Sequence, residues 1–252
     1  MARHLLKNLE EIKKVLKGRR PSLFLDYDGT LIPAGGGPED SGRATALLEK
    51  LSKKYPVAIV SGRRLSNLVR DVGVAGVASA GTHGFEVFHE DFSMVFDTGK
   101  MAKARLGILK KKFEEISARY PWSQVEDKGL AITVHYGWMD RTKIPALRAD
   151  IKEAAREPVS EGVIRLRNSK MALEVQPAVD WDKGRAVLWM LDRPFFKCTL
   201  PIYIGDDQSD KYACKALKGR SITVYVGCIV EEACFYLKEQ AEVLAFLDFL
   251  AA

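Results

Sequence analysis

The chain has 252 residues, of which 47% are hydrophobic and 29% are charged, and its 39 Lys and Arg against 33 Asp and Glu give a formal net charge of +6. This length suits one large domain, or one domain with a smaller insert, and the composition is that of a globular protein. The basic residues are not clustered with aromatic residues as in nucleic-acid binders, and no apolar run reaches the ~18–20 residues of a membrane helix. We therefore expect neither nucleic acid nor a membrane as a partner.

Two features of the sequence indicate a cytoplasmic protein. The first residues, MARHLLKNLEEIKK, lack the unbroken apolar stretch of a secretory signal. The four cysteines contain no C-x-x-C pair, which argues against a zinc site, and a disulfide framework is uncommon in a chain of this size. We expect a monomer or a weak oligomer, and the small excess of positive charge suits a small anionic substrate.

The first 98 residues alternate between strand-like and helix-like patterns after an initial amphipathic helix. Apolar residues at helical spacing predict this helix over residues 4–17. Beyond it, the patterns predict strands at 23–27, 57–62 and 76–81 and helices at 43–54 and 65–72.

The middle of the chain, residues 99–176, has a different pattern. Long amphipathic helices are predicted over residues 101–120 and 142–156, and each precedes two strand-like stretches. Helices alternating with hairpins indicate a separate α+β unit inserted into the first domain. Single strands and helices alternate again over residues 177–252, and this alternation predicts a doubly wound, Rossmann-like parallel sheet of the α/β class.

Two aspartates mark the end of the first predicted strand. Asp26 and Asp28 lie two residues apart in an extended segment, so both carboxylates point the same way, and Gly29 permits a tight turn after them. One carboxylate can attack an electrophile while the other moves a proton, as covalent catalysis requires. The alternative is an acidic turn that closes a strand and has no chemical role.

A second strand end carries the acidic sequence GDDQSD, residues 205–210. Asp206, Asp207 and Asp210 repel one another at the mouth of a parallel sheet unless a cation holds them, and a set of oxygen ligands favours Mg²⁺. The alternative is an acidic cluster that caps the following helix.

Two further segments supply a hydroxyl and an ammonium group. Ser61 ends the strand in IVSGRR, where Gly62 allows close backbone approach to a phosphoryl oxygen; a common Ser-Gly turn is the alternative. Lys183 begins a predicted helix, where its charge opposes the helix dipole. Its presence there is explained either by the charge of a bound phosphate or by simple surface exposure.

Taken in order, these four segments resemble the four motifs of the haloacid dehalogenase superfamily. DYDGTL resembles the first motif, SGR the second, the segment around Lys183 the third and GDDQSD the fourth. Within the superfamily, GTHGFE, VEDKG, ALEVQP and DKGRA are similar to stretches of the trehalose-6-phosphate phosphatase family. The resemblance covers nearly the whole chain. It implies a haloacid dehalogenase-like core over residues 1–98 and 177–252, with residues 99–176 as a cap that sets substrate specificity.

The resemblance implies hydrolysis of trehalose 6-phosphate through an aspartyl-phosphate. In this reaction Asp26 is the nucleophile, while Asp28 protonates the leaving sugar oxygen and then activates water. Ser61 and Lys183 hold the phosphoryl group. Positioning and charge neutralisation would then supply most of the catalysis.

The resemblance also implies Mg²⁺ as the cofactor. Its protein ligands would be Asp26, the backbone carbonyl of Asp28, and Asp206. Asp207 and Asp210 would lie behind these ligands and orient Lys183 and the waters on the metal.

The predicted strands of the inserted unit place polar residues on shared faces. Glu126 lies on the same face as Lys128, and Lys170 on the same face as Glu174, so we expect these side chains to face outward. They form either a solvated sheet face or a sugar-binding surface. The resemblance favours the second, with a disaccharide held by Glu126, Lys128, His135, Lys170 and Glu174.

Each of two further residues of the predicted core has two possible interpretations. His83 is either a ligand-facing residue or a buried histidine whose hydrogen-bond partners lie within the protein. Arg63 is either a contact on the phosphate side of the substrate or a surface charge. As substrate-binding residues, both would contact the sugar phosphate.

The sequence also departs from the family pattern. Gly137 stands in HYG where the family often has an arginine, for which Arg141 is a candidate replacement, and Ser209 and Lys211 stand where the fourth motif usually has Thr and Glu. These differences leave room for another sugar phosphate, such as mannosylphosphoglycerate or sucrose phosphate. A non-catalytic sugar-phosphate sensor or phospho-acceptor is the alternative from another class, although it would have no need for Asp28.

Overall fold

The computed structural model describes residues 2–169 and 171–252. The chain forms two compact units. The first, the core, runs up to Val95 and resumes at Trp181, and the second, the cap, comprises Phe96–Asp180. The sequence pattern predicts these boundaries after residues 98 and 176.

The part of the core before Phe96 begins with short elements and continues as strands and helices in alternation. The elements are β1 (Arg3–His4), α1 (Leu9–Leu16), β2 (Pro21–Leu25), α2 (Gly42–Ser52), β3 (Val57–Val60), α3 (Leu65–Val72), β4 (Val77–Gly81), β5 (Glu86–His89) and β6 (Phe92–Val95). The helix predicted over residues 4–17 is shorter than expected. Its first residues form β1 and a 3-10 turn at Leu5–Asn8, because Arg3 and His4 pair with a later strand.

The cap is a four-stranded antiparallel sheet with two helices. Its elements are α4 (Lys100–Ser117), β7 (Gln124–Asp127), β8 (Ile132–His135), α5 (Ile144–Ser160), β9 (Ile164–Ser169) and β10 (Ala172–Pro177), and the strand order is β7-β8-β10-β9. Apolar side chains of the helices and of one sheet face, including Phe113, Ile151, Val134 and Leu173, form one buried cluster. The predicted alternation of helices and hairpins therefore matches the observed unit.

The remaining part of the core completes the alternation. Its elements are α6 (Lys183–Leu191), β11 (Leu200–Gly205), α7 (Gln208–Ala216), β12 (Ile222–Val226), β13 (Phe235–Leu237) and α8 (Gln240–Ala251). Among the described residues, no helix combines the length and the apolar character needed to cross a membrane.

The core sheet is built around β2. Its strand order is β1-β13-β12-β11-β2-β3-β4-β5-β6, and all pairs are parallel up to β4, beyond which β5 and β6 add an antiparallel hairpin. The predicted α/β class with a doubly wound parallel sheet is confirmed. The hairpin and β13 were not predicted, since the hairpin strands are only four residues long and partly exposed, and β13 spans only three residues.

Helices cover both faces of the parallel strands, and β2 shows why its sequence is apolar throughout. Leu23 and Leu25 pack into the cluster beneath α1, α2, α3 and α8, while Phe24 packs into the opposite cluster with α6 and α7. Because the chain continues from β2 to β3 on one side and returns to β11 on the other, the sheet order switches direction beside β2. The crevice outside the carboxyl ends of strands at such a switch is where α/β sheets bind ligands.

We expect Phe113→Ala to destabilise the cap by about 3–5 kcal/mol, because it leaves a cavity where a fully buried ring stood. Amide hydrogen exchange in β8 and β10 measures this loss. Lys112→Ala changes the adjacent, exposed position of the same helix and should leave the exchange almost unaltered. Equal exchange in the Phe113 variant and the unsubstituted protein would contradict the packing described.

Candidate active site

Three aspartates, two from neighbouring strand ends and one from the first turn of α7, form the centre of the candidate site. Asp26 follows β2 and Asp206 follows β11, and the backbone N–H of Asp26 donates to the carbonyl of Ile204 at 2.9 Å. One carboxylate oxygen from each of Asp26, Asp206 and Asp210 lies within 4.8 Å of the other two. We call these three residues the acidic cluster. The expectation that Asp26 and Asp206 meet at one edge of the sheet is met by this geometry.

Lys183 joins two members of the acidic cluster. Its Nζ donates to Asp26 Oδ1 at 2.6 Å and to Asp210 Oδ1 at 2.8 Å, and its side chain is only 2% exposed. Burial lowers the pKa of Lys183, but attraction to Asp210 and Asp26 outweighs it and raises the pKa above its ordinary value. The lysine is therefore a fixed positive charge, which excludes the interpretation of Lys183 as a surface residue.

Asp210 is a fully buried carboxylate with four donors. Besides Lys183, it accepts from the Tyr203 hydroxyl at 2.6 Å and from the backbone N–H groups of Asp206 at 3.1 Å and Asp207 at 2.8 Å. Burial, with the nearby Asp210 charge, raises the pKa of Tyr203 well above its usual value, so the phenol stays a donor. Asp210 thus holds Lys183 and the loop after β11 together.

The electrostatics of the acidic cluster suit a divalent cation. Burial raises the pKa values of Asp26 and Asp206, which shows how poorly the protein alone stabilises these carboxylates. When ionised, the three carboxylates carry three negative charges against the single charge of Lys183. A divalent cation would balance the remaining two charges, and carboxylate oxygens are its preferred ligands.

The backbone at Gly29 makes room for this cluster. Gly29 has φ +86°, and a Cβ at this position would lie 2.2 Å from Asp206 Oδ2. The next residue, Thr30, donates through its hydroxyl to Asp206 Oδ1 at 3.0 Å. The turn after β2 therefore both accommodates and orients the carboxylate of the second strand end.

Asp28 is held apart from the acidic cluster in an ion pair with Arg63. Arg63 donates from Nε to Asp28 Oδ2 at 2.8 Å and from Nη2 to Asp28 Oδ1 at 2.6 Å. The hydrogen bond to Asp28 raises the pKa of Arg63 further above its already high value. Since its side chain is only 21% exposed, the interpretation of Arg63 as a surface charge is wrong.

Ser61 and His83 belong to adjoining segments of the core. Ser61 follows β3 and is buried; its Oγ accepts from the backbone N–H of Arg63 at 3.1 Å, and its carbonyl accepts from the N–H of His83 at 2.9 Å. A Cβ on Gly62 would lie 2.7 Å from the His83 ring, so the glycine lets this ring pack against the backbone. The Ser61 hydroxyl still has its own proton to donate.

Asp207 has a local structural role in addition to any role behind the metal ligands. It is the N-cap of α7, where its carboxylate accepts from the backbone N–H of Ser209 and Asp210 completes the capping box. Both interpretations of GDDQSD therefore apply: Asp207 caps α7, Asp206 belongs to the acidic cluster, and Asp210 takes part in both arrangements.

Within the cap, the predicted polar residues Lys128 and Glu174 form a buried group with Thr133. Glu174 Oε2 accepts from Lys128 Nζ at 2.9 Å and from Thr133 Oγ1 at 2.9 Å. We call Lys128, Thr133 and Glu174 the cap polar cluster, and its members are 8%, 2% and 3% exposed. Their burial contradicts the interpretation of this polar face as a solvated sheet face.

The other predicted cap residues lie at the edge of this cluster or outside the description. His135 Nε2 and Glu126 Oε2 are 2.9 Å apart, and both side chains are more than a third exposed. Glu126 also lies 3.9 Å from the ammonium of Lys128. Lys170, expected to bind sugar, lies outside the described residues.

The position of Gly137 is spacious rather than filled. A Cβ on Gly137 would meet only Met171 Cβ, at 3.6 Å, and Arg141 is exposed. Arg148 donates to the hydroxyl of Tyr136, whereas Arg141 has no contact of this kind among the bonds found in the described residues.

Known proteins share both the sequence pattern and the fold. The family model of trehalose-phosphatase matches residues 24–236. The chain belongs to the trehalose-phosphatase family. It is 32% identical over 250 residues to the trehalose-phosphate phosphatase of Mycobacterium tuberculosis strain H37Rv, a match that covers 94% of this chain and 62% of that protein. The chain thus spans less than two thirds of the length of this relative.

Solved structures support the haloacid dehalogenase-like fold with a cap. The C-terminal domain of trehalose-6-phosphate phosphatase from C. albicans superposes with a TM-score of 0.83 at 22% identity, covering 100% of this chain and 98% of that one. A haloacid dehalogenase-like hydrolase from Bacteroides thetaiotaomicron superposes with a TM-score of 0.65 at 15% identity, covering 92% and 100%. At these identities the likeness shows the fold alone.

Several residues of the site were not found from the sequence. Tyr203, Thr30 and Asp71 bind the acidic side chains or Arg63 through contacts between distant segments. Of these three, only Tyr203 offered a clue in the sequence, because a tyrosine within a buried parallel strand needs a hydrogen-bond partner for its hydroxyl.

We expect Gly29→Ala to weaken binding of a divalent cation by about tenfold or more, since the new methyl group displaces Asp206. Isothermal titration with Mg²⁺ measures the change. Gly35→Ala is the matched control, because Gly35 also has a positive φ, +77°, but a Cβ there would meet nothing within 4 Å. It should cost about 1–2 kcal/mol of stability and leave cation affinity intact. Equal affinity in both variants would contradict the crowding at Gly29.

Proposed function

We propose that the protein is a Mg²⁺-dependent phosphatase that hydrolyses trehalose 6-phosphate to trehalose and phosphate. The observation that carries this proposal is the convergence of Asp26, Asp206 and Asp210 within 4.8 Å, with Lys183 bonded to two of them. In this proposal the core performs the chemistry and the cap selects the sugar.

The first step of the proposed reaction transfers the phosphoryl group to the protein. An Asp26 carboxylate oxygen forms a bond to phosphorus while the bond from phosphorus to the sugar oxygen breaks. Asp28, which carries a proton in this step and becomes the ionised partner of Arg63 once it has given that proton up, protonates the oxygen, so that the sugar leaves as an alcohol rather than as an alkoxide. Asp26 is suited to the attack because Lys183 fixes one of its oxygens at 2.6 Å.

The second step releases phosphate. Asp28, now ionised, takes a proton from water, which attacks phosphorus and displaces Asp26. Lys183 and the Ser61 hydroxyl provide a positive charge and a hydrogen-bond donor for the phosphoryl oxygens, whose negative charge must be balanced in both steps. Asp210, with Asp207 at the start of α7, keeps Lys183 and the loop after β11 in place.

The residues at the strand ends fit the proposed cofactor. Asp26, Asp206 and the backbone carbonyl of Asp28 would hold Mg²⁺, which supplies charge neutralisation at the phosphoryl group when bound. The Gly29 turn supports this assignment because it leaves the space that the Asp206 carboxylate occupies.

The cap residues would recognise the disaccharide through paired donors and acceptors. The cap polar cluster places a buried ammonium and carboxylate side by side, and Glu126 with His135 extends this polar group outward. We propose that Glu126, Lys128, His135, Lys170 and Glu174 contact the sugar hydroxyls, and that His83 is a substrate-binding residue of the core.

One observation favours a second candidate within the same chemistry. The open space at Gly137, where the family often has an arginine, changes the side chains available to a sugar. Mannosylphosphoglycerate and sucrose phosphate are therefore the rival substrates.

We also propose that the protein is cytoplasmic and is a monomer or a weak oligomer. Its four cysteines are all free thiols, which is in keeping with the reducing conditions of the cytoplasm.

Steady-state kinetics on a panel of phosphosugars tests the substrate. We expect the highest kcat/KM for trehalose 6-phosphate, and loss of phosphate release in EDTA with recovery on addition of excess Mg²⁺. A higher kcat/KM for sucrose phosphate or mannosylphosphoglycerate would replace the trehalose assignment. Full activity after removal of divalent cations would refute the proposed cofactor.

Substitution of the two aspartates after β2 tests the mechanism. Asp26→Asn should abolish hydrolysis because it removes the attacking oxygen, and Asp28→Asn should lower kcat by about 10²–10⁴-fold because it removes the proton donor. Rates of phosphate release measure both. Exposed Asp192 on the same unit provides a control substitution, Asp192→Asn, with expected rates unchanged. A near-normal rate in either site variant would contradict the mechanism.

Substitution at the outer edge of the cap polar cluster tests sugar recognition. Glu126→Gln should raise KM for the sugar phosphate by about tenfold and leave hydrolysis of p-nitrophenyl phosphate unchanged, since only the sugar is recognised there. Glu153→Gln removes a carboxylate from an exposed ion pair on α5 and is the matched control. Equal effects of Glu126→Gln on both substrates would argue against a role in sugar binding.

A further inference from the structure

The contact between the Arg63 guanidinium and the Asp28 carboxylate is bidentate. Two N–H groups of Arg63 reach the two oxygens of Asp28, at 2.8 and 2.6 Å, so the plane of the carboxylate is set by the plane of the guanidinium. The Asp28 side chain is 33% exposed and its partner 21% exposed. Such a half-buried bidentate pair restricts rotation of Asp28 more than a single hydrogen bond would.

Arg63 is itself held by three further contacts. Nη1 donates to Asp71 Oδ2 at 2.8 Å, where the Asp71 side chain is 3% exposed, and Nη2 donates to the carbonyl of Gly36 at 2.9 Å. The guanidinium carbon lies 4.8 Å from the ring centre of Tyr27, a cation–π contact. The arginine therefore has a fixed place that does not depend on Asp28.

These partners occupy four of the five N–H groups of the guanidinium. A bidentate contact to phosphate would require two donors to face the phosphate, and most of the donors of Arg63 already face Asp28, Asp71 and Gly36. The geometry thus directs the arginine toward the proton donor of the proposed reaction rather than toward the transferred group.

We propose that Arg63 is a positioning residue that aims the Asp28 carboxyl group at the leaving oxygen, with Asp71 as its buried anchor. This inference rests on the proposed phosphatase function, in which Asp28 protonates the sugar oxygen. Proton transfer in a transition state demands close control of distance and angle, and a locked supporting residue provides this control. Arg63 touches neither the phosphoryl group nor the sugar in this role.

Two substrates with different leaving groups can distinguish this positioning role of Arg63 from a purely structural one. Breaking the bond between phosphorus and a sugar oxygen requires a proton for the oxygen, whereas p-nitrophenolate is a stable anion that leaves without one. The value of kcat/KM reports every step up to the first irreversible bond cleavage, so it isolates this difference from the later attack of water. Damage to the positioning of Asp28 should therefore affect the sugar phosphate selectively.

The experiment compares kcat/KM for trehalose 6-phosphate and p-nitrophenyl phosphate in three variants of the full chain with Mg²⁺. Arg63→Met keeps an unbranched side chain but removes the guanidinium, and should lower kcat/KM about 100-fold for the sugar phosphate and less than about threefold for p-nitrophenyl phosphate. Asp71→Asn, which loosens the anchor, should show the same selectivity with a smaller loss. Arg70→Gln is the matched control, because Arg70 also pairs with Asp71 but is 71% exposed and should leave both values unchanged.

A double variant adds an independent measurement. Arg63→Met combined with Asp28→Asn should be no slower on the sugar phosphate than Asp28→Asn alone, because the arginine acts only through Asp28. Additive losses would overturn the inference, as would equal losses on both substrates or faster hydrolysis of the sugar phosphate by Arg63→Met. If Arg63→Met does not fold, Asp71→Asn decides by the same criterion. Absence of sugar-phosphate hydrolysis in the unsubstituted protein would instead refute the proposed function, and this outcome is distinct from normal hydrolysis with unselective losses.

Discussion

The contact on which the site depends is the buried bridge from Lys183 to Asp26 and Asp210. A carboxylate buried as deeply as these two is costly unless a positive charge and hydrogen bonds compensate it, and the lysine provides both. The same lysine is itself tolerable only because the two carboxylates outweigh its own burial. Removal of Lys183 would leave two buried carboxylates without a compensating charge, and removal of either carboxylate would take a hydrogen-bond partner from the lysine, so the three groups form a unit. This mutual dependence makes the arrangement rigid before any ligand binds.

The parallel sheet creates this unit from distant parts of the chain. Lys183 and Asp26 are 157 residues apart, yet β2 and β11 are adjacent strands and α6 starts beside them. Parallel strands present their carboxyl ends at one edge, and helices on both faces keep that edge from moving. A glycine provides space at this edge, because a methyl group at Gly29 would collide with Asp206. The acidic cluster and Lys183 thus lie where the strand order of the sheet changes direction.

Two polar networks supplement this centre in different ways. The pair of Arg63 and Asp28 lies beside the acidic cluster in the core, and Asp71 ties it to α3. The cap polar cluster instead buries Lys128 and Glu174 within a sheet whose other face is apolar. In both networks an ion pair is completed by further hydrogen bonds, which is the condition under which such pairs hold one geometry. The proposed division between phosphoryl chemistry and sugar selection follows these two networks.

The sequence by itself determined the α/β class, the inserted unit and the strand ends that carry Asp26 and Asp206, because apolar periodicity records which faces are buried. It did not predict the β5–β6 hairpin, whose strands are too short and too exposed for a clear pattern. Nor did it predict that Tyr203 would bind Asp210 or that Arg63 would clamp Asp28. Such contacts join residues far apart in the chain, and only the register of neighbouring strands and the packing of their side chains decide which polar groups meet.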